Sequence, residues 1–168
     1  MFRMIARALA LLVLGVGTAA AAELAAPAGR PLLTVSGEIG VTNGEGGARF
    51  DRAMLEAMPQ ATVQTETPWT EGKVSFTGVL LADVLDAVKA GGTGTLAAIA
   101  LNDYKVELPA SDARAHRVLV AMAMNGKPMS VREKGPLWII YPLSDESALQ
   151  TQETYSKMIW QLARIEVR

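Results

Sequence analysis

The sequence predicts a single α+β domain built on a mixed β-sheet with short helices. Short β-prone segments outnumber helical ones, and the clearest helical spacing is confined to one segment. Turns rich in glycine and asparagine separate these segments, and no internal repeat is present. Strands interrupted by a few short helices are typical of α+β folds and not of a regular β-α-β series.

The first third of the domain is predicted to alternate between strands and turns. A strand is predicted over residues 32–41, and the glycine-rich residues 42–47 predict a turn after it. Asp51 is a suitable N-cap for a short helix that Pro59 ends. A brief strand follows over residues 62–65.

The clearest helix begins near Leu81. Apolar residues recur there with the i, i+3, i+4, i+7 spacing that places them on one face, namely Leu81, Val84, Leu85 and Val88. The pair Gly91-Gly92 predicts the end of this helix.

The second half of the chain is predicted to consist mainly of strands. They cover residues 96–101, 104–108, 118–124, 137–141 and 162–167. The first two form a hairpin around Asn102-Asp103, and the continuous apolar run of the third is typical of a strand buried on both faces. Asn125-Gly126 predicts a tight turn after that strand. A loop over residues 142–150 and one or two helical turns within residues 151–160 complete the prediction.

The N-terminus has the order of regions found in secretory signal peptides. Arg3 and Arg7 precede an uncharged apolar run from residue 8 to residue 22, and three alanines end that run before Glu23. An uncleaved membrane anchor is the alternative, but this run is shorter than the roughly 20 residues that span a bilayer. We therefore predict a cleaved signal peptide over residues 1–22, a periplasmic mature protein and no stable membrane anchor after cleavage.

The remaining chain has the size of one domain. Residues 23–31 are rich in alanine, proline and glycine and predict a flexible tether, and residues 32–168 are predicted to form the domain. The chain contains 16 basic and 17 acidic residues, and loss of Arg3 and Arg7 with the signal lowers the net charge from −1 to about −3. A nucleic-acid partner is therefore not expected.

The residue inventory excludes several kinds of catalytic site. The chain has no cysteine and therefore no disulfide, thiol nucleophile or thiolate metal ligand. His116 is the single histidine and lies in a polar connector, so we interpret it as a surface residue. The segment from Arg132 to Trp138 is different, because a basic loop with a Gly-Pro turn leads directly into a buried strand. Such a loop either presents cations to an anion or is an ordinary hairpin connection.

Four sequence motifs occur in the order found in one known family. They are Phe76-Thr77-Gly78-Val79-Leu80-Leu81 followed by Val84-Leu85, then Asn102-Asp103-Tyr104 with Leu108-Pro109, then Met122-x-Met124-Asn125-Gly126-Lys127-Pro128, and finally Gly135-Pro136-Leu137. Together they resemble the sulfite-oxidase-type molybdopterin-binding domain, over residues 33–167. The resemblance implies a mixed α+β fold in which backbone groups and basic residues hold a pterin pyrophosphate.

The resemblance also implies which residues form a site, and where this sequence departs from the family. In catalytic relatives a cysteine thiolate ligates molybdenum just after a strand equivalent to residues 62–64, and Thr65 stands at about that position here. A threonine cannot supply a thiolate, so we expect no molybdenum ligation of that kind and no bound cofactor, with molybdopterin as the alternative. The residues that remain as a candidate ligand cleft are Thr65, Asn102, Tyr104, Arg132 and Lys134.

Three functional hypotheses follow. The first is a non-catalytic periplasmic module that binds a small anionic ligand or a protein partner. The second is a molybdopterin-dependent oxidoreductase or its accessory subunit, and the third is an unrelated hydrolase or solute-binding protein. Cofactor-loaded enzymes of the family are expected to leave the cytoplasm folded, through a route marked by adjacent arginines. Arg3 and Arg7 are separated, which predicts a Sec-type signal for an unfolded chain and favours the first hypothesis.

Overall fold

The computed structural model describes residues 24–168, so the signal peptide predicted for residues 1–22 lies outside the described residues. Within residues 24–168 the chain forms ten β-strands and four short α-helices. The strands are β1 (Leu33–Gly37), β2 (Ala48–Phe50), β3 (Gln60–Thr65), β4 (Val74–Leu80), β5 (Thr95–Ala100), β6 (Lys105–Pro109), β7 (Leu119–Met124), β8 (Lys127–Pro128), β9 (Trp138–Ile140) and β10 (Leu162–Val167). The helices are α1 (Arg52–Ala57), α2 (Leu81–Ala87), α3 (Asp112–Ala115) and α4 (Gln152–Lys157).

The strands form two five-stranded sheets. The first has the order β2-β1-β10-β5-β6, in which β1 and β10 are parallel and every other neighbouring pair is antiparallel. The second has the order β3-β4-β7-β8, and β9 also pairs with β7; its pairings are all antiparallel. The predicted α+β class with mixed sheet and short helices is confirmed.

The segment that leads into β10 connects the two sheets. The Ile139 amide in β9 donates to the Ile159 carbonyl (3.0 Å), and the Leu162 amide in β10 donates to the Leu137 carbonyl (2.9 Å). The buried apolar side chains of both sheets form one continuous cluster, so the domain has a single core. Trp138, fully buried, is among the largest side chains in that core.

Helix α2 follows the apolar spacing that predicts it. Leu81, Val84 and Leu85 are buried, as expected for the core-facing side of an amphipathic helix. The helix ends before Gly91-Gly92, because Lys89 adopts the left-handed conformation (φ 52°) and its amide donates to the Asp86 carbonyl. The true end is therefore a few residues earlier than the predicted one.

Helix α1 shows the predicted cap. The Asp51 carboxylate accepts hydrogen bonds from the amides of Met54 (2.9 Å) and Gly29 (2.7 Å). These two bonds hold the pKa of Asp51 below its usual value. The Gly29 bond, together with one from the Asn43 side chain to the Ala25 carbonyl (2.7 Å), attaches residues 24–31 to the domain. Those residues have no regular secondary structure, and their flexibility stays a prediction.

Strand β4 is not predicted from the sequence, although it is central to the second sheet. The apolar pattern of residues 76–80 resembles the start of the following helix, yet these residues pair with β3 on one side and β7 on the other. The register with β7 shifts between Thr77 and Gly78, which is a β-bulge. Gly78 suits this bulge, because a Cβ atom there would lie 2.1 Å from the Val120 carbonyl oxygen.

Strand β2 and helix α3 also escape prediction, because three- and four-residue elements carry too little periodicity to be recognised. Within residues 24–168, no helix is long and apolar enough to cross a membrane.

The Gly78→Ala substitution is expected to destabilise the domain by about 2 kcal/mol, since the added methyl group must push β4 away from β7. The shift of the urea unfolding midpoint measures this loss. Gly91→Ala is the matched control, because no atom lies within 4 Å of the position that its methyl group would take, and its stability is expected to change by less than about 0.5 kcal/mol. Equal stability of the two variants would contradict the close contact at Gly78.

Candidate functional site

Thr65 lies at the end of β3 and is completely buried. Its hydroxyl oxygen accepts a hydrogen bond from the Ser144 amide (3.0 Å) and donates to the Glu66 carbonyl (3.1 Å). In return, the Glu66 amide donates to the Ser144 hydroxyl (3.0 Å). The Thr65 hydroxyl therefore has both a donor and an acceptor partner within the protein, and it joins the end of β3 to the loop after β9.

A shallow depression of about 210 Å³ lies beside this junction. Its lining residues are Glu66, Thr67, Pro68, Leu143, Ser144, Gln150 and Tyr155. Among these lining residues Glu66 alone is charged, and its charge is negative.

A larger cleft of about 340 Å³ lies between the β5–β6 turn, α4 and the segment before β10. Four of its nine lining residues are aromatic and none is charged; they are Trp69, Ala100, Asn102, Tyr104, Tyr155, Ser156, Met158, Ile159 and Trp160. We call this site the aromatic cleft. Tyr155 lines both the aromatic cleft and the depression beside Thr65, so the two are neighbours.

Three rings give the aromatic cleft its shape. The ring of Trp69 stands nearly perpendicular to that of Trp160 (centroids 5.4 Å apart, 78°) and to that of Tyr155 (6.4 Å, 77°). Edge-to-face contacts of this kind are favourable and hold rings in place. Behind them lies Trp138, whose indole N–H donates to the Met158 carbonyl (3.0 Å). The ring positions are therefore set by the core.

Asn102 and Tyr104, both predicted as site residues, are brought together at the edge of the aromatic cleft. The Asn102 side-chain oxygen accepts from the Tyr104 amide (3.2 Å), and Asp103 between them adopts the left-handed conformation (φ 65°). This turn of the β5–β6 hairpin directs the chain so that 59% of Tyr104 is exposed.

Lys134, one of the two predicted basic site residues, lies next to the aromatic cleft without lining it. The Lys134 ammonium group is 5.7 Å from the ring centre of Trp138 and 5.9 Å from that of Trp160, within the range of cation–π attraction. Arg132 is exposed in a short 3₁₀ turn over Val131–Glu133. The structure thus brings Asn102, Tyr104 and Lys134 to the cleft, with Arg132 two residues before Lys134 in the chain. Thr65 is buried beside the adjacent depression and does not line it.

Helix α4, which carries Tyr155, is held by a partly buried polar network. The Tyr141 hydroxyl donates to Asp112 (2.8 Å), and the Lys157 ammonium group contacts Asp112 (3.3 Å) and Glu153 (3.0 Å). Burial and the Asp112 carboxylate raise the pKa of Tyr141 far above its usual value. Burial opposes the charged form of Lys157, but its two carboxylate partners outweigh that effect and raise the pKa of Lys157.

His116 is half-buried, whereas the sequence indicates a surface residue. Its Nδ1 atom lies 2.6 Å from the Glu146 carboxylate, which connects the segment after α3 to the loop after β9. Within residues 24–168, no group of three or more histidine, aspartate or glutamate side chains is arranged to hold a metal ion.

Sequence reasoning misses the main residues of the aromatic cleft. Trp69, Tyr155 and Trp160 are recognisable as aromatic residues near element ends, but stacking in a cleft and packing at the rim of the core are both compatible with that position. The sequence around Ser144 does not indicate a role at the site, because its hydrogen-bond partner Thr65 is 79 positions away in the chain.

Comparison with known proteins identifies the fold. The crystal structure of the sulfane dehydrogenase SoxCD from Paracoccus pantotrophus is similar over 80% of this chain, with a TM-score of 0.58 and 16% sequence identity. This chain spans 37% of the matched chain's length, and at that identity the similarity shows the fold alone. No curated protein sequence matches this one significantly.

A family model described as the oxidoreductase molybdopterin binding domain matches residues 48–144. The matched span includes all four of the motifs that carry the resemblance, and the first sheet continues on both sides of it. Because this span is more than half of the chain, the protein belongs to the oxidoreductase molybdopterin binding domain family.

Proposed function

We propose that this protein is a non-catalytic binding module that has kept the fold of its family. The observation that carries the proposal is the state of Thr65, which stands where the resemblance implies a metal-ligating cysteine. Its side chain is 0% exposed and its hydroxyl is hydrogen-bonded within the protein. A fold by itself does not imply an activity, which depends on the residues of the site.

The residues around Thr65 do not fit a molybdenum cofactor. The chain contains no cysteine to act as a thiolate donor, and the buried threonine hydroxyl already has its partners. The charged residue that lines the depression is Glu66, whose carboxylate would repel a pyrophosphate group. Direct ligation of molybdenum as in catalytic relatives is therefore not part of the proposed function.

Protein isolated from its native compartment is expected to contain far less than one atom of molybdenum or tungsten per chain. Elemental mass spectrometry and pterin fluorescence after acid release measure both parts of the cofactor. Thr65→Cys is an informative second variant, and it is expected to be equally free of metal because Glu66 and Ser144 are unchanged. Stoichiometric molybdenum in the native protein would favour the alternative of an oxidoreductase or its accessory subunit.

The aromatic cleft is the recognition site in this proposal. Its volume suits a small ligand or a single large side chain, and its walls are rigid because Trp138 and α4 fix them. Flat or apolar groups gain most from rings held in this way. Lys134 lies next to the cleft, and Arg132 precedes it in the same turn. These cations favour a ligand that also carries negative charge, in agreement with the predicted anionic ligand.

A flat aromatic anion, 1-anilinonaphthalene-8-sulfonate, is expected to bind the folded protein in the aromatic cleft. Fluorescence energy transfer from tryptophan to this probe measures binding, since all three tryptophans of the chain lie in one ring cluster at the cleft. Tyr104→Ala is expected to weaken binding about fivefold and Lys134→Gln about threefold, through loss of a stacking ring and of a nearby cation.

Arg30→Gln is the matched control, because Arg30 is exposed and precedes the segment that pairs with Phe50 at the opposite edge of the first sheet. Tyr104 is itself exposed, so its replacement leaves the core intact. Equal affinity of all three variants would show that the probe binds elsewhere.

We further propose that the mature module acts in the periplasm after Sec-type export, on the basis of the N-terminal residues alone. The expected mature chain begins at Glu23. Intact mass of the protein recovered from the periplasmic fraction checks this, and a membrane-bound chain that retains Arg3 and Arg7 would contradict it.

A further inference from the structure

The exposed apolar side chains of this protein are concentrated around the aromatic cleft. Within residues 24–168, four large apolar side chains are exposed to solvent, namely Leu101 (46%), Tyr104 (59%), Val131 (51%) and Trp160 (39%). Single exposed apolar residues are ordinary, but a contiguous group of them marks an interaction surface.

Gln161 brings the chain segments that carry these residues together. Its carbonyl accepts from the Leu101 amide (2.9 Å), and its side-chain amide donates to the Val131 carbonyl (2.8 Å). Trp160 is its neighbour in the chain, and Tyr104 lines the same cleft as Trp160. We call this group the rim patch, made of Leu101, Tyr104, Val131 and Trp160.

The charge at the rim patch is positive, although the whole chain has a net charge of −1. Arg132 and Lys134 follow Val131 closely, and neither has an ion-pair partner among residues 24–168. Asp103 pairs with Arg164 (2.6 Å), whereas Glu133 accepts from the neutral Ser130 hydroxyl (2.9 Å) and keeps its charge, so residues 132–134 carry a net charge of +1. Among the described residues, two free cations therefore border the apolar surface.

We propose that the rim patch and the aromatic cleft together dock an exposed segment of a partner protein. One aromatic or leucine side chain of that segment enters the cleft, and carboxylates beside it face Arg132 and Lys134. This inference rests on the proposed function, in which the cleft is a recognition site. Large apolar anchors in concave sites, ringed by complementary charge, supply most of the affinity and orientation of such interfaces.

The shape of the surface favours a protein segment over a lipid bilayer. A bilayer binds protruding apolar groups, whereas here two of the exposed side chains, Tyr104 and Trp160, line a cavity of about 340 Å³. A cavity of this kind is filled by an inserted side chain. The Asn102 side-chain nitrogen can donate to the backbone of that segment and the Ser156 hydroxyl oxygen can accept from it, since the Asn102 oxygen and the Ser156 hydroxyl proton are already hydrogen-bonded.

Selection from a displayed library of random linear peptides, with the mature protein as the target, tests the inference. Selected peptides are expected to carry an aromatic residue or leucine beside aspartate or glutamate. Synthetic versions are expected to lose affinity about tenfold on Arg132→Glu, through charge reversal, and about fivefold on Val131→Ser. Arg30→Glu is the control and is expected to leave affinity unchanged.

Basic or uncharged selected peptides would overturn the inference, as would affinities that Arg132→Glu does not change. Binding of the protein to phosphatidylglycerol vesicles, lost in the same variants, would assign the rim patch to a membrane and would also overturn it. Failure here is distinct from failure of the proposed function, because the latter is decided by molybdenum content and by probe binding in the cleft.

Discussion

The buried indole of Trp138 ties the second sheet to the chain segment that forms the aromatic cleft. In β9 it packs edge-on against Phe76 of β4, with ring centres 5.3 Å apart, and its N–H donates to the Met158 carbonyl. The same ring contacts Trp69 and Trp160 at the cleft. Because a buried indole is large, rigid and in need of an acceptor, one residue sets both the spacing of the core and the position of the cleft walls.

Thr65 is the residue on which the proposed loss of metal chemistry rests. A cysteine at this position would offer a sulfur ligand to a metal, whereas the threonine hydroxyl joins β3 to the loop at Ser144. The His116–Glu146 contact holds the same loop from another direction. Hydrogen bonds within the protein thus occupy the place where the family resemblance implies a bound group, and the adjacent aromatic cleft stays open.

The predictable parts of the fold are those whose signal is local. A local pattern of about ten residues marks three of the elements. Helix α2 and the closing strand β10 have a regular spacing of apolar residues, and the β5–β6 hairpin has a two-residue turn sequence. Strand β4 escapes such recognition because the alternation of apolar residues in its sequence stops at Gly78, and because its pairing depends on β3 and β7 on either side. A short stretch of sequence does not show which distant segments a strand pairs with.

The candidate site likewise has a part that the sequence predicts and a part that depends on the tertiary structure. Sequence alone determined the absence of a thiolate, the turn that presents Asn102 and Tyr104, and the basic residues Arg132 and Lys134, because residue identity and turn propensity are local properties. Only the tertiary structure decided that two of these line an aromatic cleft, that Lys134 lies over tryptophan rings, and that Thr65 is closed off by a serine 79 positions away. Those contacts arise where two sheets pack, and packing depends on the whole chain.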